Sequence, residues 1–141
     1  MMTIQYDSDK IKQKLVFMQN NIAKLDDLRN QSKEEFLSDF RNVDSAKYLL
    51  QVTIEAMLDI SNHIIARNQW GVPSTNKDIF QILSNKRIID EKYINTYFAM
   101  AKFRNRIVHM YMQIDDEVIY TIVQENLKDL KNFIQMIVGN L

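Results

Sequence analysis

The chain reads as an all-α protein. Only two glycines and one proline occur in 141 residues, which leaves few breakers for a turn-rich sheet. Apolar residues recur at steps of three and four along most of the chain, the spacing of one face of a helix. At 46% hydrophobic residues, a chain of this length buries a core without disulfide or metal staples. The predicted architecture is an antiparallel, up-and-down bundle of four main helices plus a short extra helix, with residues 1–141 forming a single domain. No internal repeat, low-complexity segment or domain boundary interrupts it.

The elements follow in order. Asp7 or Ser8 can cap a first helix whose apolar stripe is Ile11, Leu15, Met18, Ile22 and Leu25. Ser32-Lys33-Glu34-Glu35 has the spacing of a capping box and opens the next helical stretch. That stretch is expected to kink or break near Ser38 to Val43, then to run to about Asn68 with Leu50, Ile54, Met57, Ile60 and Ile64 facing the core. Trp70 to Asn76 contains Gly71 and Pro73 and is the clear loop. A short helix from Lys77 to about Ser84 follows. Asp90 then caps a long helix through Tyr93, Tyr97 and Ala101, and Asp115 or Asp116 starts a last helix bearing Val118, Ile122, Leu127, Leu130, Ile134 and Ile137.

Composition narrows the chemistry. With no cysteine there is no disulfide framework, no catalytic thiol and no thiolate zinc site. The two histidines, His63 and His109, are far apart and lie in no H-E-x-x-H pattern, so no metal site and no cofactor is expected. Eighteen basic residues balance eighteen acidic ones, so any contact with RNA must be local. The N-terminus, Met1 to Asp7, lacks the basic and apolar regions of a signal peptide, and no window offers the roughly 20 apolar residues of a membrane helix. A cytoplasmic protein without membrane contact is the expectation.

Late in the long helix stands Arg104-Asn105-Arg106-Ile107-Val108-His109-Met110-Tyr111, an Arg-x4-His-x-Tyr pattern. The guanidinium of arginine holds phosphate through a planar fork of donors, and imidazole exchanges a proton near neutral pH. At about 100° per residue, Tyr97, Ala101, Arg104, Val108 and Tyr111 fall on one stripe. Lys102, Asn105, His109 and Met112 fall on another, roughly 140° away. Either the helix ends or distorts near Val108 to Tyr111, or Arg104 and His109 meet across a symmetric dimer in which each subunit lines part of one cleft. The dimer is the favoured reading, because it also gathers Lys102, Arg104 and Arg106 of both chains into a basic groove.

This motif resembles the signature of the HEPN superfamily, and its surroundings resemble the HepT branch of toxin ribonucleases. The likeness extends to Glu55-Ala56-x-x-Asp59-Ile60, to the Pro73 loop followed by Ile79-Phe80-x-x-Leu83, to Ile88-Ile89 before the long helix, and to Phe103 through His109 and Asp115. It covers roughly residues 10 to 138.

The resemblance implies the toxin component of a type VII-like toxin–antitoxin pair, a homodimeric and metal-independent endoribonuclease. RNA supplies its own nucleophile, the 2′-hydroxyl, so a base and a cation suffice. His109 would then act as general base or acid and Arg104 as the phosphate clamp. Asn105, four residues before His109, would orient the imidazole. Lys102 and Arg106 would add local attraction for RNA. Tyr111 is similar to the tyrosine that an MntA-type nucleotidyltransferase antitoxin modifies with AMP. Such AMPylation would block RNA entry by bulk and negative charge.

Plainer readings stand beside these. Arg104 can serve as a salt-bridge partner for Asp59 or another carboxylate. Tyr111 continues an apolar stripe and can be a packing aromatic. His63 is expected to be structural, Trp70 to cap the bundle end, and the eight methionines to be adaptable packing. The alternative function is a noncatalytic helical subunit that binds substrate or docks on a minimal nucleotidyltransferase, and a third is a bundle that only supports oligomerisation.

Overall fold

A computed structural model describes residues 3–141; Met1 and Met2, with which the expected domain and the N-terminal reading begin, lie outside the described residues. Seven α-helices and no strand occur among them: α1 (Ser8–Arg29), α2 (Lys33–Ser38), α3 (Phe40–Arg67), α4 (Asn76–Asn85), α5 (Ile94–Met110), α6 (Asp116–Glu125) and α7 (Leu127–Gly139). Short 3-10 turns at Glu91–Tyr93 and Tyr111–Gln113 flank α5. The four long elements of the bundle are α1, α3, α5 and the α6–α7 pair, with α4 as the short extra helix.

Local chemistry places the boundaries. The Asp7 carboxylate accepts from the Lys10 amide and starts α1. Ser32 and Glu35 form a complete capping box at α2. Asp39, in extended conformation, separates α2 from α3 and caps α3 through the Arg41 amide, so the expected break falls at one residue. At the far end of α3, Gln69 turns left-handed (φ 56°) and the Trp70 amide donates to Ile65 O at 3.1 Å, a Schellman stop. Gly71, with φ 124°, then takes a conformation that side-chain-bearing residues rarely adopt. Asp90 caps the turn that leads into α5, and Asp115 caps α6.

α3 is the central helix, packed against α1, α2, α4, α5 and α6. Its expected stripe of Leu50, Ile54, Met57, Ile60 and Ile64 is fully buried, as is the α1 stripe from Ile11 to Leu25. Burying a side chain of this size contributes roughly 1.5–3 kcal/mol each, so both stripes are substantial parts of the core. No helix among the described residues is long and apolar enough to cross a membrane.

The last helix departs from expectation. It breaks at Asn126, whose amide still reaches Ile122 O at 2.9 Å, and the break divides it into α6 and α7. A single continuous stripe through Val118 and Ile122 therefore does not form. Instead α6 buries Ile119 and Val123, Val118 is exposed and Ile122 only half-buried. In α7 the expected residues Leu127, Leu130, Ile134 and Ile137 are buried and are joined by Phe133.

Two further side chains fix how the helices meet. His63 Nε2 accepts from the Asp7 amide at 2.9 Å, tying the N-terminal segment to α3, and burial followed by the nearby charges of Lys10 and Arg67 lowers its pKa. A protonated ring would lose this acceptor, so His63 is a structural histidine here. Trp70 packs on the core at the end of α3, with the Lys86 ammonium 5.6 Å from its ring centroid.

Tyr97 seats α5. Fully buried, it stacks on Tyr93 at 5.4 Å, meets Phe80 and Phe133 at 5.6 Å each, and donates its hydroxyl to Asp129 O at 2.8 Å. Burial pushes its phenol pKa far upward, so the hydroxyl remains a donor throughout the physiological range. Tyr97→Phe is expected to lower stability by about 1 kcal/mol, the value of one buried hydrogen bond. Chemical denaturation with an unchanged m value would measure it, and an unchanged midpoint would show that the bond contributes nothing.

Candidate active site

The rotation set by Tyr97 places the motif. Ala101, one turn later, is buried, and Arg104 emerges half-buried against α3. Its Nε donates to Glu55 Oε1 at 3.1 Å, and Nη2 lies 2.9 Å from the same oxygen. Nη1 donates to Asn105 Oδ1 at 3.0 Å, and Gln51 Nε2 donates to Glu55 Oε1 at 3.1 Å. One carboxylate oxygen thus gathers three donors and fixes the guanidinium plane. The remaining N–H groups of the fork stay available to an external anion.

The arginine's carboxylate is Glu55 and not Asp59. Asp59 lies about 6 Å further along α3 and about 40° around it. It faces α1, where it pairs with Lys14 at 2.9 Å. Asn105 likewise serves the arginine: its amide oxygen accepts from Arg104, and no hydrogen bond to His109 is among those of the described residues.

His109 is exposed. α5 stays regular to Met110, so Arg104 and His109 remain about 140° apart around the helix and about 7.5 Å apart along it. A single chain does not bring them together. Lys102 and Arg106 are also exposed; Lys102 Nζ lies 4.8 Å from the Phe98 ring centroid, and neither has an ion-pair partner among the described residues. Exposed Val108 and Met110 flank His109 on this part of α5.

Tyr111 sits on a different element. Met110 (φ −136°, ψ 35°) ends the α-helix, and the following turn swings Tyr111 onto the start of α3. There Lys47 Nζ donates to Tyr111 O at 3.1 Å and lies 4.6 Å from the ring centroid. The Tyr111 hydroxyl is 3.5 Å from Asp44 O, at the outer limit of a hydrogen bond. Burial, then the charge of Asp44 and its hydrogen bond, raise the phenol pKa. Tyr111 is both half-buried packing and a tyrosine with its hydroxyl near the surface.

Four α3 residues outside the motif lie against it: Gln51 and Glu55 on the Arg104 side, and Asp44 and Lys47 at Tyr111, away from Arg104. Their spacing of three, four and four puts them within about 80° of one another on α3. That run of polar residues beside a buried stripe was a legible signal, because a polar side chain at a helix contact needs a partner. Among the described residues, no group of three or more His, Cys, Asp or Glu side chains converges as a metal site would require.

The family of the chain follows from its sequence pattern. A sequence model of the family described as Ribonuclease HepT-like matches residues 18–137. The chain belongs to the HepT-like ribonuclease family. This HepT-like chain is 33% identical over 103 residues to the mRNA nuclease HepT of Shewanella oneidensis, covering 73% of its own length and 77% of that protein. It is 25% identical over 127 residues to the tRNA nuclease HepT of Aphanizomenon flos-aquae, covering 90% and 86% of the two chains. In structure it matches the tri-AMPylated Shewanella oneidensis HEPN toxin in complex with MNT antitoxin, with a TM-score of 0.84, 29% identity, and coverage of 93% and 98%. The sequence-derived HEPN and HepT resemblance and the all-α bundle agree with these matches.

The Arg104–Glu55 pair is about one-third exposed on each side, at 30% and 31%. Solvent screening limits its worth, and a double-mutant cycle with Glu55→Gln and Arg104→Gln is expected to give a coupling of about 0.5–1 kcal/mol in stability. A coupling above about 2 kcal/mol would mark the pair as a principal support of the fold.

Proposed function

We propose that this chain is the toxin of a toxin–antitoxin pair and a metal-independent endoribonuclease acting through Arg104 and His109. The observation that carries the reading is a guanidinium held in place by Glu55 and Asn105, with N–H donors to spare, on the same helix as an exposed imidazole. Arg104 clamps the scissile phosphate and stabilises the charge that develops on it. His109 takes the proton of the RNA 2′-hydroxyl, whose oxygen attacks the adjacent phosphorus as the 5′-oxygen leaves. Asn105 supports the clamp by accepting from Arg104. Lys102 and Arg106 attract the RNA backbone, an effect that weakens with salt.

The 140° between clamp and imidazole favours a homodimer in which the two act from different chains. Exposed Val108, His109 and Met110 would lie in or beside that interface. The proposed partner is a minimal nucleotidyltransferase antitoxin of the MntA type, and Tyr111 is the residue it modifies with AMP. The related toxin solved in AMPylated form with an MNT antitoxin supports this assignment.

Expressed without a partner, the parent chain is expected to inhibit growth and to cleave RNA in the presence of EDTA. Arg104→Ala and His109→Ala are expected to lose both, with cleavage falling by roughly 10²–10⁴-fold. Growth inhibition equal to the parent in both variants would overturn the ribonuclease reading and leave the noncatalytic docking subunit.

Sedimentation at micromolar concentration is expected to give a dimer, and a monomer would remove the shared cleft. After co-expression with the nucleotidyltransferase, intact-mass and peptide spectra are expected to carry AMP on Tyr111 and none on Tyr111→Phe.

A further inference from the structure

Tyr111 is held at three points by one face of α3. The Lys47 ammonium, on a side chain only 5% exposed, binds the Tyr111 carbonyl at 3.1 Å and covers the ring face at 4.6 Å. The hydroxyl is left beside Asp44, 3.5 Å from its main-chain oxygen, where the negative charge of that residue acts on the phenol. Asp44 itself is exposed, so the space beyond the hydroxyl is open to solvent and to a partner. A buried cation fixing an aromatic ring, with an exposed aspartate beside the ring's hydroxyl end, suits a nucleophile and its base.

We propose that Asp44 is the proton acceptor for nucleotide attachment to Tyr111, and that Lys47 is the positioning residue that keeps the phenol against it. This rests on the reading of Tyr111 as the modified residue and adds which groups of the toxin take part. The Tyr111 oxygen attacks the α-phosphorus of a nucleoside triphosphate held by the nucleotidyltransferase. The new O–P bond forms as the bond from that phosphorus to the β-phosphate oxygen breaks; pyrophosphate leaves, and the phenolic proton passes to the Asp44 carboxylate.

The physical need for a local base is plain. A phenol is protonated at neutral pH, and burial with a neighbouring negative charge makes it more firmly so. Its present bond to Asp44 O is long enough to be given up at little cost when the oxygen turns toward phosphorus. The ring, by contrast, is clamped by Lys47, so the oxygen pivots over a short arc and stays beside Asp44. Arg104 lies elsewhere: Glu55 is about 16 Å along the α3 axis from Asp44, so the two chemistries use separate groups.

The test uses the full-length toxin, its nucleotidyltransferase partner, ATP and Mg²⁺, with AMP incorporation followed by intact mass. Asp44→Asn is expected to slow modification at saturating ATP by roughly 10²-fold or more, the usual worth of a general base, with KM for ATP unchanged. RNA cleavage and the thermal midpoint of the unmodified protein are expected to match the parent, and Asp44→Glu to recover part of the rate. Lys47→Met is expected to reduce the modification rate, and Lys47→Arg to restore it. Parental modification rates in Asp44→Asn would overturn the inference alone and place the base on the partner. Absence of AMP from Tyr111 of the parent would overturn the reading of Tyr111 as the target, and this inference with it.

Discussion

The antiparallel seating of α5 on α3 is the constraint on which the site depends. The helix is held at three heights: by Tyr97 in its aromatic cluster with α4 and α7, and on α3 by Arg104 on Glu55 and by the Tyr111 turn on Lys47. Only the first is a fully buried apolar contact, and it sets the rotation of the helix. Seven residues, or about two turns, separate Tyr97 from Arg104, so a helix locked by the first must present the second on nearly the same face. The polar contacts then select among small adjustments that the core alone would tolerate.

Much of this fold was legible in the sequence because the signals were local or periodic. The α1 and α3 stripes, the capping box at Ser32, the Gly71–Pro73 loop and the Asp90 and Asp115 caps each depend on a few neighbouring residues. The break at Asn126 was not, since no glycine or proline marks it and the apolar residues on either side can be joined into one plausible stripe. With one unbroken stripe the core of α6 would fall on Val118 and Ile122, whereas the broken helix buries Ile119 and Val123.

The motif itself announced Arg104, His109 and Tyr111, and helical angles correctly separated the first two. What the angles did not contain was the identity of the opposing helix face. Choosing Glu55 over Asp59 requires knowing which side of α3 meets α5 and which meets α1, a tertiary fact. Asn105 shows the same limit: four residues from His109 and one from Arg104, it is close to both, and the nearer donor, the guanidinium, takes its oxygen. The packing of Tyr111 leaves room for the proposed functional role, since its ring is covered while its hydroxyl lies in an exposed setting.

The helix break at Met110 has a mechanical meaning. Arg104 and His109 ride on a rigid rod, whereas Tyr111 is attached to that rod by a joint and fastened to its neighbour. Force applied at the phenol is therefore borne by the first turns of α3 before it can twist α5. A substituent as large as a nucleotide can be carried there without prying the guanidinium from its carboxylate. Under the proposed modification of Tyr111, silencing would come from what stands in front of Arg104 and His109 while those groups keep their arrangement, ready to work again once the obstacle is removed.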